Sequence, residues 1–205
     1  MSSMTESISA RRRSGARRMG SSMSEKITAP YILNAVRPGQ AWDDLYGDWR
    51  RRGMSTLVSY FSAERGVTRE VAEAFAKDVG ADIFEIAPVE PYTKADLNYM
   101  NPLARCNREK IGKKDVPVKG TVADFDQYDT VYIGFPIWYG CAPNVVNTFC
   151  KCYDWSGRKV YAFATSGGSG IGKTAEKLKP YVAGASEVDA KLVRTAEELR
   201  TWKGL

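Results

Sequence analysis

From Gly167 to Thr174 the sequence reads GGSGIGKT, which fits the phosphate loop G-x-x-x-x-G-K-[ST]. In that loop backbone N–H groups cradle the phosphates, the lysine meets their charge and the hydroxyl reaches Mg²⁺. A strand-like run precedes it and a helical pattern follows, as that chemistry requires. The wider context disagrees. Only 31 residues follow Thr174, and a nucleoside triphosphatase of this kind needs a later apolar strand ending in Asp for the metal. The remaining strand-like run, ASEVDAKLV, holds Asp189 inside a weakly apolar stretch. The loop also follows the fourth strand-like run, not the first. The match therefore reads as accidental. The dinucleotide pattern G-x-G-x-x-G fails too, because from Gly168 it needs glycine at Lys173.

Other chemistries fall to one absence. The chain contains no His, so Ser–His–Asp and Cys–His nucleophile systems and His-based metal sites cannot be built. Ser169 does not sit in G-x-S-x-G, since Ile171 occupies the last position. Cys106, Cys141, Cys150 and Cys152 form no C-x-x-C pair and read as reduced thiols of a cytoplasmic protein. Cys150 and Cys152 fall on different faces of a helix. No metal site and no catalytic side chain is expected.

The formal net charge of +6 is unevenly spread. Residues 1–53 hold ten Lys/Arg against five Asp/Glu, and residues 54–205 hold twenty against nineteen. The basic character thus belongs to a Ser- and Arg-rich leader without an apolar h-region, and Met54 is an alternative start. The expected organisation is a basic leader over 1–53 and one domain over 54–205. Neither a nucleic-acid partner nor a membrane is expected for that near-neutral body, and a monomer or homodimer fits it equally.

The body alternates strand and helix signals. STLVSYF (55–61), ADIFEIAP (81–88), DTVYIGFP (129–136), RKVYAFATS (158–166) and ASEVDAKLV (185–193) read as strands. TREVAEAFAKDVG (68–80), NVVNTFCKCY (144–153), GKTAEKLKPYV (172–182) and TAEELRTWKG (195–204) read as helices. Such alternation predicts a mostly parallel sheet covered on both faces. Residues 89–128 break the rhythm as a long excursion, the kind that in a compact domain carries function or covers something.

In such a sheet, ligands bind at the C-terminal ends of strands where the strand order reverses. Three loops lie there. SAERGVT offers the hydroxyls of Ser62 and Thr68, the charge of Arg65, the permissive Gly66 and a helix N-terminus, a set suited to phosphate. GFPIWYG places Trp138 and Tyr139 side by side on a turn, either as a stacking surface for a flat ligand or as an aromatic cluster packed under the excursion. TSGGSG lets backbone approach a ring edge closely. Together they describe a site for a planar, phosphorylated ring.

With these three loops in order, residues 55–205 resemble the flavodoxin family, in the subgroup with PIWWG-like and TSGGSG-like loops. The resemblance implies a flavodoxin-like three-layer α/β/α sandwich, its five-stranded parallel sheet in the order 2-1-3-4-5, with FMN as cofactor. It assigns Ser62, Arg65, Gly66, Val67 and Thr68 to the phosphate. Pro136, Ile137, Trp138, Tyr139 and Gly140 flank the isoalloxazine ring, and Thr165, Ser166, Gly167, Gly168 and Gly170 wall its other side. It further implies an electron carrier working with a redox partner protein. Carriers of this family are strongly acidic around the flavin, whereas this body is almost neutral. That, with the long excursion, favours as an alternative an FMN-dependent NAD(P)H oxidoreductase reducing a quinone or similar small acceptor; a flavin-free binding module is a third reading.

Overall fold

The computed structural model describes residues 55–63 and 66–205. The expected leader, Met54, Glu64 and Arg65 lie outside the described residues. Strand β1 (Ser55–Tyr60) is buried over its last four residues. It pairs in parallel with β2 (Asp82–Glu85) on one side and β5 (Tyr128–Pro136) on the other. Strand β6 (Lys159–Thr165) follows β5, and β7 (Glu187–Leu192) closes the far edge. The sheet order is β2-β1-β5-β6-β7, which is 2-1-3-4-5 among its own five strands. The middle strands are nearly continuous apolar runs because helices shield them on both faces.

On one face Val58, Tyr132, Phe163 and Leu199 pack with Val71 and Phe75 of helix α1 (Val67–Val79). Buried positions 68, 71, 72, 75 and 76 give α1 its inward stripe, and Gly80 ends it with a left-handed φ of 66°. Helix α5 (Ala196–Lys203) lies beside it, capped by the Thr195 hydroxyl. The opposite face gathers Leu57, Ile133 and Phe135 with Val145, Val146 and Phe149 of helix α3 (Asn144–Cys150) and Leu178 of helix α4 (Thr174–Leu178). Within the sheet, Gly134 lies beside Phe163, whose fully buried ring fills the space a side chain would need. A Cβ on Gly134 would stand 2.2 Å from that ring.

Three expected elements change their bounds. The run 81–88 is not one strand: β2 stops at Glu85, Ile86 donates its N–H to Tyr60 O at 2.6 Å, and Ala87–Pro88 form β3. That short strand pairs antiparallel with β4 (Val118–Lys119), outside the main sheet, at a proline that has no N–H for a ladder. The helix expected over 172–182 is α4 followed by a 3₁₀ turn, Lys179–Tyr181, since Pro180 cannot continue an α-helical bond pattern. Helix α3 stops at Cys150, leaving Cys150 buried and Cys152 exposed. The excursion, in which no element is expected, contains helix α2 (Arg105–Gly112) and β4. No helix of the described residues is long and apolar enough to cross a membrane.

Candidate functional site

The strand order reverses at β1, with β2 to one side and β5 to the other. The loops after β1, β5 and β6 therefore meet at one edge of the sheet. After β1, Phe61 N–H donates to Gly134 O at 2.8 Å, holding this loop against β5. Gly66 stands at the N-terminus of α1 with φ 72°, a conformation that glycine adopts without strain. The Ser62 hydroxyl accepts the Arg69 N–H at 3.3 Å, so it caps the first turn. Thr68, beneath it, is buried and shares a 2.7 Å hydrogen bond with the Thr165 hydroxyl at the end of β6.

The loop after β5 is a tight reversal. Trp138 and Cys141 exchange backbone hydrogen bonds of 3.0 and 3.1 Å across Tyr139 and Gly140. Both central residues are left-handed, Tyr139 at φ 54° and Gly140 at φ 69°, the signature of a two-residue type I′ turn. Glycine fits such a turn; tyrosine sits in it at a cost. Two tethers compensate. The Tyr139 hydroxyl donates to Asn107 Oδ1, with Cys106 Sγ 3.5 Å away, and Lys177 Nζ donates to Gly140 O at 3.3 Å. Burial, with the neighbouring thiol, raises the Tyr139 phenol well above its ordinary range and keeps it protonated as a donor.

Trp138 meets Phe61 at 5.6 Å and Tyr92 at 5.3 Å, both edge to face. An aromatic cluster under the excursion is thus real for Trp138, whereas Tyr139 is 44% exposed at the tip of the turn. Tyr92 is fixed in turn: its hydroxyl donates to Glu109 at 2.6 Å, Arg105 bonds the other oxygen of Glu109 at 2.6 Å, and the guanidinium lies 4.3 Å from the Tyr92 ring centre. Burial and the Glu109 carboxylate drive the Tyr92 phenol far upward.

After β6, the Ser166 hydroxyl accepts the Gly168 and Ser169 N–H groups at 3.1 and 2.7 Å. A Cβ on Gly167, Gly168 or Gly170 would meet nothing within 4 Å, so the loop edge borders open space. The two residues that complete the phosphate-loop pattern face elsewhere. Lys173 is exposed and pairs with Glu176, and Thr174 is fully buried with its hydroxyl bonded back to Ile171 O. The Thr174 hydroxyl thus donates within its own turn rather than towards the loop edge.

The structure thus brings Ser62, Gly66, Val67, Thr68, Pro136–Gly140 and Thr165–Gly170 to one edge, and Arg65 lies outside the described residues. Sequence reasoning does not reach Phe61, Tyr92, Asn107 or Lys177, which brace the turn from distant segments. Tyr92 stands in the excursion, where no spacing marks its ring as a neighbour of Trp138. Among the described residues no group of three or more potential ligands gathers for a metal.

Residues 55–204 match the flavodoxin family. The chain belongs to the flavodoxin family. A candidate flavoprotein from Bacteroides eggerthii is 37% identical, with 74% of this chain and 97% of that one covered at a TM-score of 0.69. A second, from Bacteroides uniformis, is 35% identical over 75% of this chain and 99% of that one, at the same TM-score of 0.69. A flavoprotein from Lactobacillus acidophilus, solved in complex with FMN, shares the fold at 22% identity, 74% and 99% coverage and a TM-score of 0.59. No curated protein sequence matches the chain. In open α/β sheets ligands bind outside the C-terminal strand ends where the strand order reverses, and the three loops lie at that edge.

Proposed function

We propose that this flavodoxin-family chain binds FMN at the C-terminal edge of its sheet and carries electrons through it. Three ligand-type loops at the reversal of strand order carry this reading: the Thr68–Thr165 bond ties the first to the third, and Lys177, on helix α4 beyond the third, reaches Gly140 of the second. Ser62, Arg65, Gly66, Val67 and Thr68, with the N–H groups of the first turn of α1, would hold the phosphate. Pro136, Ile137, Trp138, Tyr139 and Gly140 would flank the ring, Tyr139 offering the more exposed aromatic surface. Thr165, Ser166, Gly167, Gly168 and Gly170 would form the opposite wall, where the open space beside the glycines accommodates a ring edge. Bound FMN supplies reversible one- and two-electron chemistry. The side chains hold and orient it, and none is assigned a proton-transfer role.

A second reading has its own support. The excursion packs over the turn through Tyr92 and Asn107, a cover suited to shaping an acceptor site for an FMN-dependent NAD(P)H oxidoreductase with a quinone-like substrate. The absorbance spectrum of the purified protein tests both. Flavin bands, retained or gained on incubation with FMN, are expected, and their absence overturns the two redox readings in favour of a flavin-free binding module. Steady oxidation of NAD(P)H with a quinone by the protein alone replaces the carrier with the oxidoreductase.

A further inference from the structure

The near-neutral body conceals a segregation of charge. Residues 94–119 carry seven Lys/Arg and three Asp/Glu, leaving thirteen and sixteen for the rest of residues 54–205. Within the excursion Arg105 turns inward to Glu109 and Lys110 to the Cys141 thiol, while Arg108, Lys113 and Lys114 are exposed. Among them stand Tyr99, Met100, Leu103 and Ile111, exposed by 71%, 76%, 77% and 80%. Arg108 and Ile111 share one face of α2, three residues apart.

The chain holds this face in shape. Asn98 Oδ1 accepts the Met100 N–H at 3.2 Å, and Asn101 Oδ1 accepts the Leu103 N–H at 3.0 Å. The Asn107 amide donates to the carbonyls of Tyr99 and Asn101 at 3.0 and 2.7 Å. The same Asn107 accepts the Tyr139 hydroxyl. One side chain therefore joins the apolar face to the turn beside the candidate flavin site.

An apolar centre with a cationic rim complements an acidic partner. A second copy would set the same cations against each other across a two-fold axis. A membrane-lying helix carries an apolar face along its length opposite a basic one, whereas α2 exposes a single large apolar side chain, Ile111. We propose that the 94–119 face docks an acidic redox protein. The choice of a redox protein rests on the flavin reading; the charge and shape of the partner do not.

Binding of the full chain to an acidic [2Fe–2S] ferredoxin and to an acidic rubredoxin, measured by calorimetry with basic cytochrome c as control, tests this. Affinity for at least one acidic protein should fall about tenfold or more on raising salt from low to physiological ionic strength and beyond. Arg108→Glu with Lys114→Glu should weaken it about tenfold, and Leu103→Ser with Ile111→Ser should weaken it as well. Both double variants should keep the parent's thermal unfolding midpoint, since they alter exposed side chains. Cytochrome c should not bind. FMN content, read from absorbance in the same samples, separates the two ideas: docking without flavin retains the acidic partner and overturns only the flavin reading. Four results overturn the docking proposal: no binding of either acidic protein, binding indifferent to both double variants, capture of phosphatidylserine vesicles by this face instead, or a dimer that the variants dissolve.

Discussion

Thr68 and Thr165 stand 97 residues apart in sequence and share a 2.7 Å hydrogen bond between their hydroxyls. Both are buried, at 2% and 5% exposure, so neither hydroxyl can turn to water if its partner is lost. Removing one should cost about 1–3 kcal/mol, because an unsatisfied buried hydroxyl remains. Thr68→Val with Thr165→Val should cost less than the two single changes added together. Urea unfolding of the three variants checks this, and strictly additive losses would show that the pair is not coupled.

The same threonine bears on ligand discrimination. Thr68→Ala should weaken FMN more than riboflavin, since only FMN carries the phosphate assigned to this loop. Equal losses in fluorescence titrations with the two ligands would move the phosphate elsewhere.

Trp138 and Tyr139 should separate when mutated. Trp138→Ala removes edge-to-face contacts with Phe61 and Tyr92 as well as ring surface, so it should lower both stability and FMN affinity, the latter by about 1–3 kcal/mol. Tyr139→Phe keeps the ring and loses the bond to Asn107. It should leave FMN affinity nearly unchanged while accelerating amide exchange across residues 99–107. Hydrogen-exchange mass spectrometry alongside flavin titration distinguishes the two.

Lys173→Ala should change neither FMN affinity nor fold, because Lys173 is exposed and paired with Glu176. Equilibrium dialysis with ATP and Mg²⁺ should find no binding to the parent protein. ATP binding that Lys173→Ala abolished would reinstate the triphosphate loop.

Buried tyrosines, Tyr128 and Tyr132 among them, should set the alkaline limit of stability. Burial pushes the Tyr128 phenol up to about 12, aided by its 2.7 Å bond to Asp82, and burial pushes Tyr132 up to about 12. The unfolded chain ionises near the ordinary phenol value of about 10. The folded state then holds more protons than the unfolded state between these values, so stability is complete below pH 10 and falls as pH rises towards 12. Urea midpoints measured across that range should decline, and less steeply in Tyr128→Phe.

The sheet was largely legible in the sequence because its middle strands are covered on both faces and show as unbroken apolar runs, such as TVYIGF and VYAFAT. The split after Glu85 was not, because it depends on Ile86 turning to bond Tyr60. Helix α2 was hidden for a different reason: Cys106 is its buried residue, so no apolar stripe marks it. The three loops at the sheet edge were visible as local residue types. Their bracing was not, since Asn107 and Tyr139 meet across 32 residues and Thr68 and Thr165 across 97, and neither distance leaves a trace in spacing.

The closeness of Gly134 to the Phe163 ring has a consequence for the lineage as well as for the molecule. Any side chain at position 134 collides with that ring at 2.2 Å, and the packed sheet gives little room for either strand to retreat. Glycine at one position therefore permits phenylalanine at the other. Among descendants of the same ancestor, a larger residue at 134 should appear only together with a smaller one at 163.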